Sequence, residues 1–280
     1  MLAPAPDIAP TDKGWAAYLR LGFRESHGKT VLATRERHGP LTLQRPLYPE
    51  GDICHLYLLH PPGGIVGGDL LNIDATVEDR ARALVTTPGA TKFYRSAGSE
   101  AIQHQSLKIQ GGASLEWLPQ ENIFFPGAHA KLITRIDLAE SAKLAWWEIH
   151  CFGRPVINEV FDEGAIDSSL MIQRAEKPCV IERLRVSHEN RKRLSLLCGH
   201  AVSGTAVFSS SSAEHIDIAR EVIASELYTK AGATLIDDLL VLRYLGDSTE
   251  DAKRIFSGVW NALREPLLRR VPHTPRIWNT

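Results

Sequence analysis

Trp15-Ala16-Ala17-Tyr18-Leu19-Arg20-Leu21-Gly22-Phe23 places Trp15, Ala17, Leu19, Leu21 and Phe23 on alternate positions. Successive side chains of an extended chain point to opposite faces, so this pattern turns one side of a strand into a core. The same period recurs at Leu41 and Leu43, Leu56 and Leu58, Leu107 and Ile109, and Leu115 and Trp117. Ile172, Val180, Leu184 and Val186 lie in later stretches of the same kind. Between these runs fall His38-Gly39-Pro40, Pro49-Glu50-Gly51, Pro61-Pro62-Gly63-Gly64, Pro88-Gly89, Gly111-Gly112 and Pro126-Gly127, which are turn signals at short spacing. The first two hundred residues therefore read as many short strands with no convincing helix.

The C-terminal part differs. Ser212 to Leu227 carries Ile216, Ala219, Val222 and Ile223, which suits one face of a helix. Ala233 to Leu245 returns to strand, with a turn or bulge at Asp237-Asp238. Ser248-Thr249-Glu250-Asp251 reads as a helix cap followed by acids at the positive end of the helix. Ile255, Val259 and Leu263 then repeat, joined by Phe256 and Trp260, until Pro266 ends or kinks the helix. The expectation is a mainly β body with two α-helices near the C-terminus. No internal repeat and no low-complexity linker is evident, so residues 14–280 read as one domain behind a flexible tail, 1–13. Alternation alone does not choose between sandwich, barrel and solenoid.

At 280 residues, 44% hydrophobic and 23% charged, the chain can bury a substantial core. A net charge of −1 argues against a general nucleic-acid binder. No run approaches the roughly 20 apolar residues that cross a bilayer. Met1 to Lys13 lacks the pattern of a signal peptide, so the cytoplasm is the expected location. Cys54, Cys151, Cys179 and Cys198 form no C-x-x-C and have apolar neighbours, so they read as small buried hydrophobes rather than metal ligands.

Three segments carry chemistry. In His60-Pro61-Pro62-Gly63-Gly64-Ile65-Val66-Gly67-Gly68-Asp69, two Gly-Gly pairs free the backbone to approach a ligand or partner, with Asp69 at the end. The plainer reading is a pair of tight turns. The segment has neither the Gly-Lys-Ser/Thr of a phosphate loop nor a helix opening after it. Thr86-Thr87-Pro88-Gly89-Ala90-Thr91-Lys92-Phe93-Tyr94-Arg95 groups hydroxyls and cations that suit an anion, a protein partner or a solvated turn. Leu115-Glu116-Trp117-Leu118-Pro119-Gln120-Glu121 brackets a proline with two carboxylates that suit a cation or acid–base work. The plainer reading has Glu116 facing outward and Trp117 inward. Neither G-x-S-x-G nor H-E-x-x-H occurs. The eleven histidines are scattered. His27, His38, His129 and His215 read as surface residues, and His60 and His150 as core residues.

Taken in order, Arg45 to Gly51, His60 to Asp69, Thr86 to Arg95, Leu115 to Glu121, Gly153-Arg154 and the terminal Pro275-Arg276-Ile277-Trp278-Asn279-Thr280 resemble the motifs of the urease accessory protein UreD (UreH) family. The resemblance runs from about residue 15 to the end. It implies a layered, β-helix-like body with two helices and no enzymatic activity. It also implies a part in urease maturation: binding apo-urease and a UreF-type protein, reaching a UreG-type GTPase through UreF, and pairing with UreF as a dimer of heterodimers. Nickel would be a transient passenger rather than a tightly bound cofactor, carried along an internal passage. Such transfer suits weak, exchangeable ligands. Asp69 is the first candidate, followed by Glu116 and Glu121. Glu148 and Glu182 follow as acids in apolar runs, with pairing to a nearby Arg or His as the alternative. Gly63, Gly64, Gly67, Gly68, Thr86, Thr91, Lys92, Tyr94, Arg95 and Arg154 are assigned to loop architecture or partner contact. The competing expectation is a metal-dependent enzyme built on Asp69, Glu116 and Glu121.

Overall fold

The computed structural model describes residues 14–226 and 230–279; the expected tail and Leu227 lie outside the described residues. The chain enters through a hairpin, β1 (Ala16–Ser26) and β2 (Lys29–His38), and the short β3 (Thr42–Leu43). It then winds in coils. β4 (Cys54–Leu59) leads to β5 (Leu70–Val77). β6 (Arg82–Thr86) passes through β7 (Thr91–Phe93) to β8 (Ala101–Ile109), and β9 (Ser114–Trp117) through β10 (Asn122–Phe124) to β11 (Ala128–Leu138). β12 (Lys143–Arg154) and β13 (Glu159–Val160) lead to β14 (Gly164–Arg174). The winding stops at β15 (Lys177–Ser187). β16 (Val202–Phe208), α1 (Ala213–Ala224), β17 (Lys230–Ile236), β18 (Leu239–Gly246) and α2 (Thr249–Leu268) complete the fold.

The coils stack as two sheets. One runs β15-β14-β11-β8-β5-β1-β2 and the other β17-β18-β16-β12-β9-β6-β4-β3. The central pairs are parallel, because each coil returns to a sheet in the direction of the one before. The result is the β-helix-like body that the resemblance implied, mainly β with two late helices. A third, short parallel ladder joins β7, β10 and the end of β12.

The stack shows a repeat that side-chain identity conceals. Ile65, Phe93, Phe124 and Phe152 occupy one register column, each contributed by the next turn of the coil. Phe93 and Phe124 pack at 4.9 Å between ring centres, Phe124 and Phe152 at 5.4 Å. The repeat is one of backbone register and not of sequence. Register is periodic while most columns change composition, as in Leu71, Gln103, Leu132 and Ser168.

Two apolar layers result. Leu56, Val85, Trp117 and Trp146 form a column facing the other sheet. The neighbouring residue on β12, Trp147, points the opposite way and packs beneath α1 and α2 with Phe256 and Trp260. Full burial of side chains this size contributes about 1.5–3 kcal/mol each. The Asp237-Asp238 turn joins β17 to β18 as expected, with Asp237 at φ 52°. Ser248 caps α2, its hydroxyl accepting from Asp251 N at 3.0 Å. Pro266 does not itself end α2: the helix runs on to Leu268 and closes at Arg269, which is left-handed at φ 55°. Two cysteines depart from expectation. Cys54 and Cys151 are buried, but Cys179 is half-buried and Cys198 exposed. His27 and His38 are exposed, and His129 and His215 are half-buried. No helix among the described residues is long and apolar enough to cross a membrane.

Candidate functional site

Between the two sheets lies a cavity of about 400 Å³. Leu71, Ile73, Gln103 and Gln105 line it from one sheet, and Val85, Trp117, Trp146 and Glu148 from the other. Residues of the segments around His60 and Pro88 complete the lining. The inward alternation of β8 and β12 places polar Gln103, Gln105 and Glu148 where apolar residues would otherwise meet. A second, smaller cavity of about 30 Å³ is lined by Glu148, His150, Ser168, Glu182, Ser203 and Thr205. Glu148 is therefore a wall of both.

Glu148 Oε1 sits 3.1 Å from His150 Nε2 and accepts from Ser168 Oγ at 3.3 Å. His150 is 3% exposed, and its Nδ1 lies 3.4 Å from Asn122 Nδ2. Glu182 pairs with Arg243, whose guanidinium is held below its ordinary range by burial. The alternative foreseen for both acids, a nearby His or Arg, is what the structure shows. In the lining of the larger cavity, His60 Nε2 is buried and has no hydrogen-bond partner. Burial lowers the His60 pKa, with Asp69 opposing the shift, so a neutral imidazole faces this space.

The other acids do different work. Asp69 is 5% exposed and closes its loop: Oδ1 accepts from Trp15 N at 2.9 Å and Oδ2 from Val66 N at 3.0 Å. Glu116 does not face outward. It is 3% exposed beneath α2, because the helices cover that face of the sheet. Arg264 bonds both its oxygens at 3.0 Å, and Trp260 Nε1 donates to Oε2 at 2.6 Å. Glu121 is half-buried near Lys253 and Cys151, and its main-chain oxygen receives Thr91 N at 2.9 Å. Asp69, Glu116 and Glu121 thus fail to form the metal centre of the competing expectation. Among the described residues no three His, Cys, Asp or Glu side chains gather as a cation site. Burial pushes the Cys54 thiol up to about 11 and the Cys151 thiol up to about 12, so neither supplies a thiolate at neutral pH.

The loop residues form a tightly fitted frame. Gly63 and Gly68 adopt φ of 77° and 95°, which favour glycine. A Cβ on Gly64 would lie 2.1 Å from the Tyr94 ring, and one on Gly67 2.1 Å from Ser96 Oγ. Tyr94 meets Phe125 at 5.0 Å, and Arg154 lies over Phe125 at 4.7 Å while gripping Glu159 with two hydrogen bonds. Arg95 reaches Glu163 at 2.6 Å. Lys92 lines the large cavity, and its main-chain oxygen receives Ile65 N at 2.7 Å. Thr86 Oγ1 donates to Leu118 O at 2.5 Å and accepts from Trp278 Nε1 at 2.9 Å, fastening the C-terminal segment.

Sequence reading missed Glu50, His55, His273 and Arg264. Arg264 Nη2 lies 2.7 Å from Glu50 Oε1, which is also 2.7 Å from His55 Nε2. Arg264 follows Trp260 by one helical turn, so a cation in the apolar stripe of α2 was the available signal.

A profile of the family described as "UreD urease accessory protein" matches residues 16–279. The chain is 49% identical over 276 residues to the urease accessory protein UreD of Alcanivorax borkumensis, covering 96% of this chain and 93% of that one. It is 45% identical to the urease accessory protein UreD of Klebsiella aerogenes, covering 98% of this chain and all of the relative. To the protein of that name from Pseudomonas putida it is 44% identical over the full length of both.

Proposed function

Because the chain belongs to the UreD family of urease accessory proteins, which gives it a role in urease maturation, we propose that it is a non-catalytic scaffold that hands nickel toward the urease active site between its two sheets. The observation that carries this reading is Glu148, a carboxylate shared by both inter-sheet cavities. His60 lines the larger cavity, and His150 and Glu182 the smaller, so with Glu148 they supply single oxygen and nitrogen donors to the two spaces. Polar groups are costly between packed sheets unless they are used, and here they are concentrated around the open space. Donors arriving one or two at a time suit a passenger ion, since a full cage would retain it.

In this reading Asp69 clamps its own loop rather than the metal, and Glu116 and Glu121 brace the sheet and its adjoining loops. The partners are apo-urease and a UreF-type protein that brings a UreG-type GTPase, assembled as a dimer of heterodimers in the cytoplasm. Exposed Val156, at 95%, and Ile157, at 59%, provide an apolar contact surface of the kind such assembly uses. The four unpaired cysteines accord with a reducing compartment.

Glu148→Gln tests the passage. Nickel content and activity of urease matured with the variant should fall several-fold, while co-purification with the UreF-type partner stays unchanged. Full nickel occupancy with the variant would overturn the reading.

A further inference from the structure

On the opposite face of the same sheet, beneath the C-terminal segment, His55 and His273 form a pair that the passage does not use. His55 is 1% exposed. Its Nε2 lies 2.7 Å from Glu50 Oε1, and Arg264 donates to that oxygen at 2.7 Å. A carboxylate held this way accepts a hydrogen bond from Nε2 and turns Nδ1, the ring's other nitrogen, away from it. That Nδ1 is buried and has no hydrogen-bond partner. A buried polar group left unsatisfied is costly, so the atom calls for a partner.

The ring that meets His55 is His273, 5.9 Å away between centroids at an interplanar angle of 83°. With metal–nitrogen distances of about 2 Å, two imidazoles on one cation hold their ring centres roughly 4.5–6.5 Å apart. His273 sits in an irregular segment between Pro272 and Pro275, and among the described residues it makes no hydrogen bond or ion pair. A carboxylate behind the distal nitrogen is the arrangement that fixes the tautomer and direction of metal-binding histidines.

We propose that His55 and His273 together bind one divalent first-row transition-metal cation of the nickel, copper and zinc class, with water completing the coordination. Imidazole donors select this class over calcium and magnesium, which prefer oxygen. No third acidic, thiol or imidazole side chain joins them among the described residues, so the ion is exchangeable. The site lies apart from the inter-sheet cavity and stands or falls independently of it.

Equilibrium dialysis of the full chain against Ni²⁺, with Cu²⁺ electron paramagnetic resonance as a ligand readout, tests the pair. His273→Ala should weaken Ni²⁺ binding at this site at least tenfold and remove the two-nitrogen hyperfine pattern from the Cu²⁺ spectrum. His55→Gln, which can keep the bond to Glu50, should do the same with an unchanged far-UV circular dichroism spectrum. If His55→Gln fails to fold, His273→Ala decides, because His273 belongs to no helix or strand. Wild-type isotherms and spectra for His273→Ala would overturn the proposal. So would an equal loss in Glu148→Gln, since the bound ion would then belong to the cavity.

Discussion

Arg264 on α2 holds Glu116 on β9 through two hydrogen bonds, Nε to Oε2 and Nη2 to Oε1, each 3.0 Å. Arg264 is 1% exposed and Glu116 3%. The pair pins the helical layer to the coiled sheet 148 residues away in sequence. Burying two charges is costly, and their attraction offsets that cost only while both are present and hydrogen-bonded. Here Trp260, Glu50 and the Val271 main-chain oxygen occupy further bonding positions on the pair.

Arg264→Leu should therefore destabilise the protein by about 3–5 kcal/mol, because it strands Glu116 as an unpaired buried charge. Urea unfolding measures the loss. Arg264→Leu combined with Glu116→Leu should recover a good part of it. A single-variant loss below about 1 kcal/mol would show that water reaches the pair.

Glu50 makes the same network sensitive to acid. Burial alone would raise its pKa, but hydrogen bonds from His55 and Arg264 and the Arg264 charge overcome this and lower it from 4.5 to about 2. A carboxyl depressed in the folded state stabilises the fold above its unfolded pKa, and that contribution fades as pH falls through the folded one. The window lies between about pH 4.5 and pH 2, and the contribution is roughly 3 kcal/mol at 1.36 kcal/mol per pKa unit. Glu50→Gln should flatten the decline of stability across that window. Parallel acid-unfolding curves for the two proteins would refute this.

Asp69→Ala separates a clamp from a ligand. It removes the acceptor for both Trp15 N and Val66 N, and the expected loss of stability is about 1–3 kcal/mol per stranded donor. Asp69→Asn keeps one acceptor oxygen and should lose less. Thermal unfolding reads both. An Asp69→Ala variant of unchanged stability that no longer supports nickel delivery would return Asp69 to the candidate ligands.

The elements were legible in the sequence because their periods are local. Ala17, Leu19, Leu21 and Phe23 are buried on β1 as the alternation required, and Ile255, Val259 and Leu263 bury the face of α2. Trp15 shows the limit of that rule. It begins the alternation but stands 60% exposed, because β1 starts after it. The stacking was hidden because register does not fix composition: Gln103 lies between Leu71 and Leu132 in one column. Glu116 was misread for a related reason. Alternation tells which residues share a face of a strand, and says nothing of whether a helix from the far end of the chain will cover that face. The link from Glu50 to Arg264 spans 214 residues, and no local pattern carries it. The meeting of His55 with His273 joins the same two distant stretches and was hidden in the same way.

A parallel coil stack has no intrinsic end, since each finished turn offers its edge to another. In this chain the antiparallel hairpin β1–β2 closes one side of the first sheet and β15 closes the other. Between these terminators the Ile65–Phe93–Phe124–Phe152 column sets a quantum of length, one full turn of chain from each member to the next. Growth of the protein is therefore stepwise. An insertion of one whole turn would keep every phenylalanine in its column and lengthen the inter-sheet space by one strand spacing, about 4.8 Å. A smaller insertion within a strand would throw all later turns out of register, and so is confined to the loops between them.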